Sequence, residues 1–142
     1  MKVVINKCYG GFGLSPKAVL KYAEYSGFKV YAYTEDYETD FENRQCDRID
    51  SPTDSGPFIF YFAKQDLGKR VSVKILNDVK WFHDYDVDRN DPILVRVVEE
   101  LGEEADGEHA SLKVVEIPDD VEYEIPEYDG IEHIAEVHRT WH

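Results

Sequence analysis

The most constraining feature of this sequence is an amphipathic stretch, DPILVRVVEEL, at residues 91–101. Asp91 followed by Pro92 is typical of a helix start, because aspartate accepts hydrogen bonds from free backbone N–H groups and proline suits the first helical position. Apolar side chains then recur with helical spacing on one face, at Ile93, Leu94, Val97, Val98 and Leu101. The helix must bury that face against other elements, and Gly107 is predicted to end it.

A second helix and several strands are predicted around this one. Ser15 followed by Pro16 repeats the capping signal, Val19 and Ala23 share a face of the turns that follow, and Gly27 ends the helix. Short apolar or alternating runs predict strands. They lie at Val3–Asn6, Phe28–Tyr33, Pro57–Ala63, Val71–Leu76, Leu112–Ile117 and Val121–Ile125, the last forming a hairpin with Ile131–Arg139 through Asp129-Gly130.

These elements predict an α+β fold, with two principal helices packed on a mixed or antiparallel sheet of about six strands. The length of 142 residues and the hydrophobic content of 42% suit a single domain, residues 1–142. Residues 34–56 are acidic and rich in turn formers, which predicts a variable loop. A connection of that length is uncommon, so it is either a functional or mobile loop or contains short structure that the pattern does not reveal.

The charge of the chain restricts its partners. With 30 acidic residues against 16 lysines and arginines, the net charge is −14, which opposes binding to nucleic acid or to an anionic membrane surface. One small anion can still bind in a pocket that collects a few cations. No leader peptide is visible, no segment reaches the roughly 18 apolar residues that span a membrane, and two cysteines are too few for a disulfide framework. The sequence predicts a cytoplasmic protein with Cys8 and Cys46 as free thiols.

A glycine-rich loop, Tyr9-Gly10-Gly11-Phe12-Gly13, precedes the first helix. A loop that leads into a helix N-terminus can aim backbone N–H groups at an anion. The spacing matches neither a P-loop nor a dinucleotide-binding fingerprint. A tight turn with glycines at positive φ explains the loop equally well, although a turn rarely needs aromatic residues beside its glycines. Both interpretations stay open from the residues alone.

The stretch HDYDVDRND at residues 83–91 invites a metal interpretation that its details do not support. Asp84, Asp86 and Asp88 have the opening spacing of a calcium loop. Arg89 then stands where that loop needs glycine, and no glutamate follows at the closing position. No metal site is predicted.

The same stretch also offers contacts to a nucleotide. Arg89 and Asn90 precede a helix N-terminus and are candidates for phosphate contacts, unless one of the neighbouring aspartates pairs with the arginine. Trp81 and Phe82 lie just before them and are candidates for stacking on a base.

The C-terminus, His138–His142, combines Arg139 and Trp141. This pair suits a stacked, phosphate-bearing ligand or a subunit interface, or a tryptophan folded back on the core with the arginine screening acids. No sequence signature of a nucleophile, a zinc site or a thiol–imidazole pair occurs, so the chain is not predicted to be an enzyme and no cofactor is expected. The glutamate-rich segment 99–136 suits an alternative function, in which its charge attracts a basic partner.

Three stretches together resemble a family of small phage and prophage proteins: NKCYGGFGLS at 6–15, RNDPILVRVVEELGEEADG at 89–107 and IPDDVEYEIPEYDGIEHIAEVHRTW at 117–141. The likeness spans most of the chain except residues 34–56, and the family is identified as the Thoeris anti-defence proteins. It implies a protein of the host cell cytoplasm that sequesters the cyclic ADP-ribose signals of bacterial TIR-domain enzymes without cleaving them. It also implies a dimer or larger homo-oligomer.

Three functions are therefore expected in decreasing order. The first is sequestration of a cyclic nucleotide signal, the second is inhibition of a host protein by an acidic surface, and the third is hydrolysis of a nucleotide. For the first, the residues whose chemistry suits a nucleotide are Tyr9, Gly10, Gly11, Phe12, Trp81, Phe82, Arg89, Asn90, Arg139 and Trp141.

Overall fold

A computed structural model describes residues 1–50, 52 and 60–137 of the chain. Its helices are α1 (Pro16–Ser26), α2 (Val73–Asp78) and α3 (Pro92–Leu101), with short 3-10 turns at Asp84–Asp86 and Gly102–Ala105. The strands are β1 (Lys2–Asn6), β2 (Tyr31–Asp36), β3 (Gln45–Ile49), β4 (Tyr61–Ala63), β5 (Arg70–Ser72), β6 (Trp81–Phe82), β7 (Leu112–Glu116), β8 (Tyr123–Glu124), β9 (Glu127–Tyr128), β10 (Ile131–Glu132) and β11 (Ala135–Glu136). The predicted α+β class is confirmed.

The largest sheet has five strands in the order β5-β3-β2-β4-β6, and every pairing in it is antiparallel. Three two-stranded pairs lie outside it: β1 with β7, β8 with β11, and β9 with β10. The last two pairs enclose the turn at Asp129-Gly130, so the predicted C-terminal hairpin is confirmed for its described residues.

Side chains that alternate along the central strands separate two hydrophobic cores. Ala32 and Phe62 point into a helix-side core with α1 and α3, which also holds Leu94 and Val97. Their strand neighbours Tyr33 and Ala63 belong to an α2-side core around Leu76. The five-stranded sheet is therefore covered on both faces, and α2 closes the second of them.

The two long helices begin where the capping signals predict. The Ser15 hydroxyl accepts a hydrogen bond from the Ala18 N–H at 3.1 Å, and Asp91 accepts one from the Ile93 N–H at 2.8 Å. Pro16 and Pro92 occupy the first helical positions. Such caps contribute about 1 kcal/mol each, because they satisfy N–H groups that have no partner within the helix.

Four sequence-based boundaries are corrected by the structure. Strand β2 starts at Tyr31 rather than Phe28, and α3 ends at Leu101 with a short 3-10 turn before Gly107. The strand predicted over 71–76 is wrong from Val73 onward, because Ser72 accepts a hydrogen bond from the Ile75 N–H and starts α2.

The fourth correction concerns the acidic segment at 34–56, which was predicted to be a loop. Its described part is largely a β-hairpin, in which β2 runs to Asp36 and pairs with β3. The alternative of unrecognised short structure is therefore the one found. The turn of this hairpin, residues 37–44, faces α2 across a cavity and forms one of its walls.

Candidate ligand-binding groove

The glycine-rich loop packs against its own chain around Asn6, which is fully buried at the end of β1. The Asn6 side-chain amide donates to the carbonyl oxygens of Cys8 and Gly130, at 2.8 and 2.7 Å. Its amide oxygen accepts from the N–H groups of Cys8 and Ser111, at 3.3 and 2.8 Å. One side chain thus holds three loops together, and its hydrogen-bonding groups are used within the chain.

Backbone contacts between loops explain two of the glycines. The Gly10 N–H donates to the Asp129 carbonyl at 3.1 Å. A Cβ atom added to Gly130 would lie 2.2 Å from the Gly11 nitrogen, and Gly130 has φ +91°. The backbones approach too closely for any side chain, so this junction uses glycine for intramolecular packing.

Arg89 has a buried partner within the protein. Its guanidinium makes a bidentate ion pair with Glu132, at 2.6 and 2.9 Å, and its Cζ atom lies 3.6 Å from the centroid of the Phe12 ring. Glu132 also accepts the Asn6 N–H at 2.8 Å. The anionic partner that the sequence demands for Arg89 is therefore supplied by Glu132, 43 residues away, rather than by a neighbouring aspartate.

The remaining sequence-predicted contacts occupy several places in the described structure. Trp81 and Phe82 are adjacent on β6 and face opposite sides of the sheet: Phe82 packs in the helix-side core and Trp81 in the α2-side core. The exposed Asn90 side chain lies 3.6 Å from the Met1 sulfur. Tyr9 is exposed beside the loop junction. Arg139 and Trp141 lie outside the described residues.

A groove of about 910 Å³ lies between the β2–β3 turn and α2. Two aromatic rings at the turn are exposed to solvent, Phe41 by 87% and Tyr37 by 63%. The full lining is Glu35, Tyr37, Phe41, Glu42, Asn43, Arg44, Val73, Lys74 and Asn77. Aromatic surface, two cations, two carboxylates and two amides meet here, which is the mixture that small-molecule sites use.

The walls of the groove are fixed by hydrogen bonds. Within the turn, the Asn43 N–H donates to Asp40 at 2.8 Å and the Gln45 N–H donates to the Thr39 hydroxyl at 3.2 Å. The Val73 N–H, at the start of α2, donates to the Arg44 carbonyl at 2.9 Å. The turn and the helix are therefore held in register, and the cavity is formed before a ligand arrives.

The base of the turn carries an ion-pair network. Arg70 pairs with Asp36 and Asp47, both at 2.8 Å. The Arg70 hydrogen bond, followed by the Glu38 N–H, holds the pKa of Asp36 below its ordinary value. Asp36 therefore stays ionised at neutral pH and keeps Arg70 occupied.

Arg44 is the exception among the arginines that the structure describes. The other four, Arg48, Arg70, Arg89 and Arg96, each pair with at least one carboxylate. Arg44 makes no ion pair within the described residues; its Cζ atom lies 4.9 Å from the Tyr37 ring centroid, and its Nε atom is buried without a hydrogen-bond partner. A guanidinium with unused donors, stacked on an aromatic ring in a cavity, is a ready contact for an anion.

Sequence reasoning missed this groove. The signal it passed over is the pair of aromatic residues, Tyr37 and Phe41, inside the acidic turn-rich segment TEDYETDFENR. Exposed aromatic residues flanked by charge are typical of binding surfaces, and an arginine follows three residues after the second one.

The acidic stretch before α3 has a structural role. The Asp84 carboxylate accepts the Leu14 N–H at 2.9 Å and so fixes the end of the glycine-rich loop. Among the described residues, no group of three or more histidine, cysteine, aspartate or glutamate side chains is placed to hold a metal ion. Within the same residues, none of the helices has the length and apolar character required to cross a bilayer.

Comparison of the chain with protein-family models, with curated proteins and with solved structures finds no match.

Proposed function

We propose that the protein binds a nucleotide signal of the cyclic ADP-ribose type in the groove between the β2–β3 turn and α2, and holds it without cleavage. The observation that carries this proposal is the state of Arg44, a guanidinium with no carboxylate partner among the described residues in a chain of net charge −14. In so acidic a protein an unpaired arginine inside a cavity favours an anionic ligand from outside the chain.

The groove provides a partner for each part of such a ligand. The exposed rings of Phe41 and Tyr37 suit an adenine face, with Arg44 stacked on the second ring. Arg44 and Lys74 suit the diphosphate. Glu35 and Glu42 also line the groove and can accept hydrogen bonds from ribose hydroxyl groups.

The distribution of charge supports binding of an anion at this place. Segment 99–136 contains 15 of the 30 acidic residues and one of the 16 lysines and arginines, so it carries the entire net charge of −14. The rest of the chain, which includes the groove, is formally neutral. Attraction by Arg44 and Lys74 is therefore opposed locally only by the groove's own carboxylates, and charges farther than about 10 Å are largely screened by salt.

The resemblance to anti-defence proteins supplies the biological part of the proposal. The protein would act in the host cell cytoplasm, as a dimer or larger homo-oligomer, and lower the free concentration of an immune signal. Such a role requires tight binding and no catalytic group.

The test is calorimetric titration of cyclic ADP-ribose isomers, followed by chromatography of the ligand released from heat-denatured protein. We expect one isomer to bind and to be recovered intact. Arg44→Ala should weaken binding about tenfold to a hundredfold, since hydrogen bonds to charged groups contribute about 1.5–3 kcal/mol. Phe41→Ala should weaken it through loss of stacking. Arg96→Ala is the matched control, because Arg96 is an exposed arginine on α3, paired with Glu100.

Three results would contradict the proposal. Unchanged affinity in both Arg44→Ala and Phe41→Ala would remove the ligand from this groove. Recovery of a cleaved ligand would favour a hydrolase. Absence of nucleotide binding, together with salt-sensitive binding to a basic host protein, would favour the acidic segment 99–136 as the functional surface.

A further inference from the structure

Strand β7 has one edge without a neighbouring strand in the described structure. Its pairing partner is β1, and the two strands form a sheet of their own. The Ile117 N–H, just past the end of β7, donates to the Met1 carbonyl at 2.8 Å. Because backbone groups alternate in direction along an antiparallel pair, those of Leu112, Val114 and Glu116 point away from β1.

Two of these three residues have unused backbone groups. The Leu112 N–H donates to the Asp106 carboxylate at 2.8 Å, which closes one end of the edge. Among the described residues, the N–H and carbonyl groups of Val114 and Glu116 have no hydrogen-bond partner. An edge of this kind is a template for pairing with another strand.

Elsewhere in the described structure, strand edges are covered or short. On the outer edge of β1, the Val4 N–H donates to the Arg89 carbonyl at 2.8 Å. The Asn6 N–H on the same edge donates to the Glu132 carboxylate at 2.8 Å. The strands β5, β6 and β8–β11 have only two or three residues each. Covering and shortening are ways in which proteins prevent unwanted pairing, and the five-residue β7 uses neither.

We propose that β7 pairs antiparallel with β7 of a second copy of this chain, with the two Val115 residues facing each other on the twofold axis. In this register Val114 lies opposite Glu116 of the second copy, so the two open N–H groups of each copy donate to the two open carbonyls of the other. Leu112 keeps its hydrogen bond to Asp106. Two strands alone make a marginal sheet, and the pairing creates a sheet of four whose outer strands are the two copies of β1.

Side-chain charge favours this register over a neighbouring one. Lys113 is the only lysine or arginine in segment 99–136. In the register centred on Val115, it lies opposite Ile117 of the second copy and diagonal to Asp119, within reach of a long side chain. A register centred on Val114 would instead place the two copies of Lys113 diagonal to each other, where like charges repel.

Disulfide capture tests the register. The Cα atoms of a facing pair without mutual hydrogen bonds lie about 4.5 Å apart, a distance at which two cysteines can bond. Val115→Cys should therefore give a covalent dimer on a non-reducing gel after oxidation with copper phenanthroline. Lys113→Cys is the matched control, because its two copies would be about 13 Å apart along the strands. The parent protein, with Cys8 and the buried Cys46, sets the background.

Sedimentation velocity over a range of protein concentrations measures association without added cysteines. Glu116→Pro should weaken the dimer at least about tenfold, since it removes an N–H that each copy donates across the axis. Glu116→Gln retains that N–H and is the matched control. Glu116 is exposed and its N–H has no partner among the described residues, so the melting temperature of the monomer should change little. Added salt should strengthen association, because each copy carries a net charge of −14.

Three results would overturn the proposal. They are a protein that stays monomeric at every concentration, equal cross-linking of Val115→Cys and Lys113→Cys, and a dimer that Glu116→Pro leaves intact. The inference deepens the proposed function and rests on its homo-oligomer, whereas ligand binding at the groove is decided by calorimetry with Arg44→Ala. Failure of the β7 interface and failure of the groove are therefore seen in different variants.

Discussion

Arg89 and Arg44 are both stacked on an aromatic ring, yet they belong to opposite kinds of environment. The Arg89 Cζ atom lies 3.6 Å from the Phe12 ring centroid, and its guanidinium donates two hydrogen bonds to the buried Glu132. Arg44 lies 4.9 Å from the Tyr37 centroid, in a cavity, with its Nε atom buried and without a partner. The Arg89 guanidinium is paired within the protein, whereas the Arg44 guanidinium makes no ion pair with the described residues. The segments with recognisable motifs, which are the glycine-rich loop and the stretch before α3, have structural roles. The groove that suits a ligand is formed by the turn of the acidic segment.

The largest expected effect tests the structural side of this comparison. Arg89→Ala should lower the free energy of unfolding by about 3 kcal/mol or more, because Glu132 is left as a buried charge without its partner. Arg44→Ala should change it by no more than about 0.5 kcal/mol, since no ion pair of the described structure is lost. Urea denaturation of both variants measures the difference. Similar losses in the two proteins would erase the distinction between the two arginines.

A somewhat smaller effect is expected at the loop junction. Gly130→Ala should cost about 2–3 kcal/mol, because the new Cβ atom would meet the Gly11 nitrogen at 2.2 Å and the residue has a positive φ. Gly11→Ala is the matched control: its φ is +99° but nothing lies within 4 Å of the added atom. It should cost only the backbone strain, about 1 kcal/mol. Thermal unfolding of the pair checks this, and equal losses would show that contact between the loops is unimportant.

The smallest effect is a pH dependence at the start of α3. Burial, together with the hydrogen bond to Asp91, raises the pKa of Tyr22 to about 12 from its ordinary 10.0. A raised pKa in the folded state stabilises the protein below pH 10, and this contribution is lost as the pH rises from 10 towards 12. Tyr22→Phe should therefore have a shallower decline in stability over that range, measured by urea denaturation at several pH values.

Tyr85→Phe is the control for that experiment, because Tyr85 is an exposed tyrosine. It should follow the parent protein over the whole pH range. A parent protein whose stability stays constant above pH 10 would show that Tyr22 titrates alike in the folded and unfolded states. Because Tyr22 packs against the helix-side core, ligand affinity at the groove should change less than stability does.

Features carried by neighbouring residues were predictable from the sequence. The starts of α1 and α3 follow from Ser15-Pro16 and Asp91-Pro92, since a cap acts within three residues of itself. The α+β class follows from apolar periodicity. The start of α2 was not recognised, because the alternation of VSVKIL favours a strand and one serine cap decides the outcome instead.

The arrangement of the site required three dimensions. Nothing in the sequence around Arg89 indicates that Glu132 will occupy it, and nothing near Arg44 indicates that Lys74 will stand across a groove from it. Local sequence supplies residue types, whereas long-range pairing decides which cations are neutralised within the chain. The packing of Trp81 and Phe82 shows the same limit, because neighbouring residues of a strand enter different cores only once the sheet is formed.

The network around Asn6 also bears on how the protein is made. Asn6 and Arg89 reach their partners at Gly130 and Glu132 only after those residues have been synthesised, since they lie 124 and 43 positions further along the chain. Contacts of such sequence separation slow folding. The strand β1 is synthesised before its partner β7 and before the C-terminal hairpin, so its native contacts form only once those later elements are available. A chain cut before Gly130 would leave the Asn6 amide with one of its two acceptors missing and would be a substrate for proteolysis.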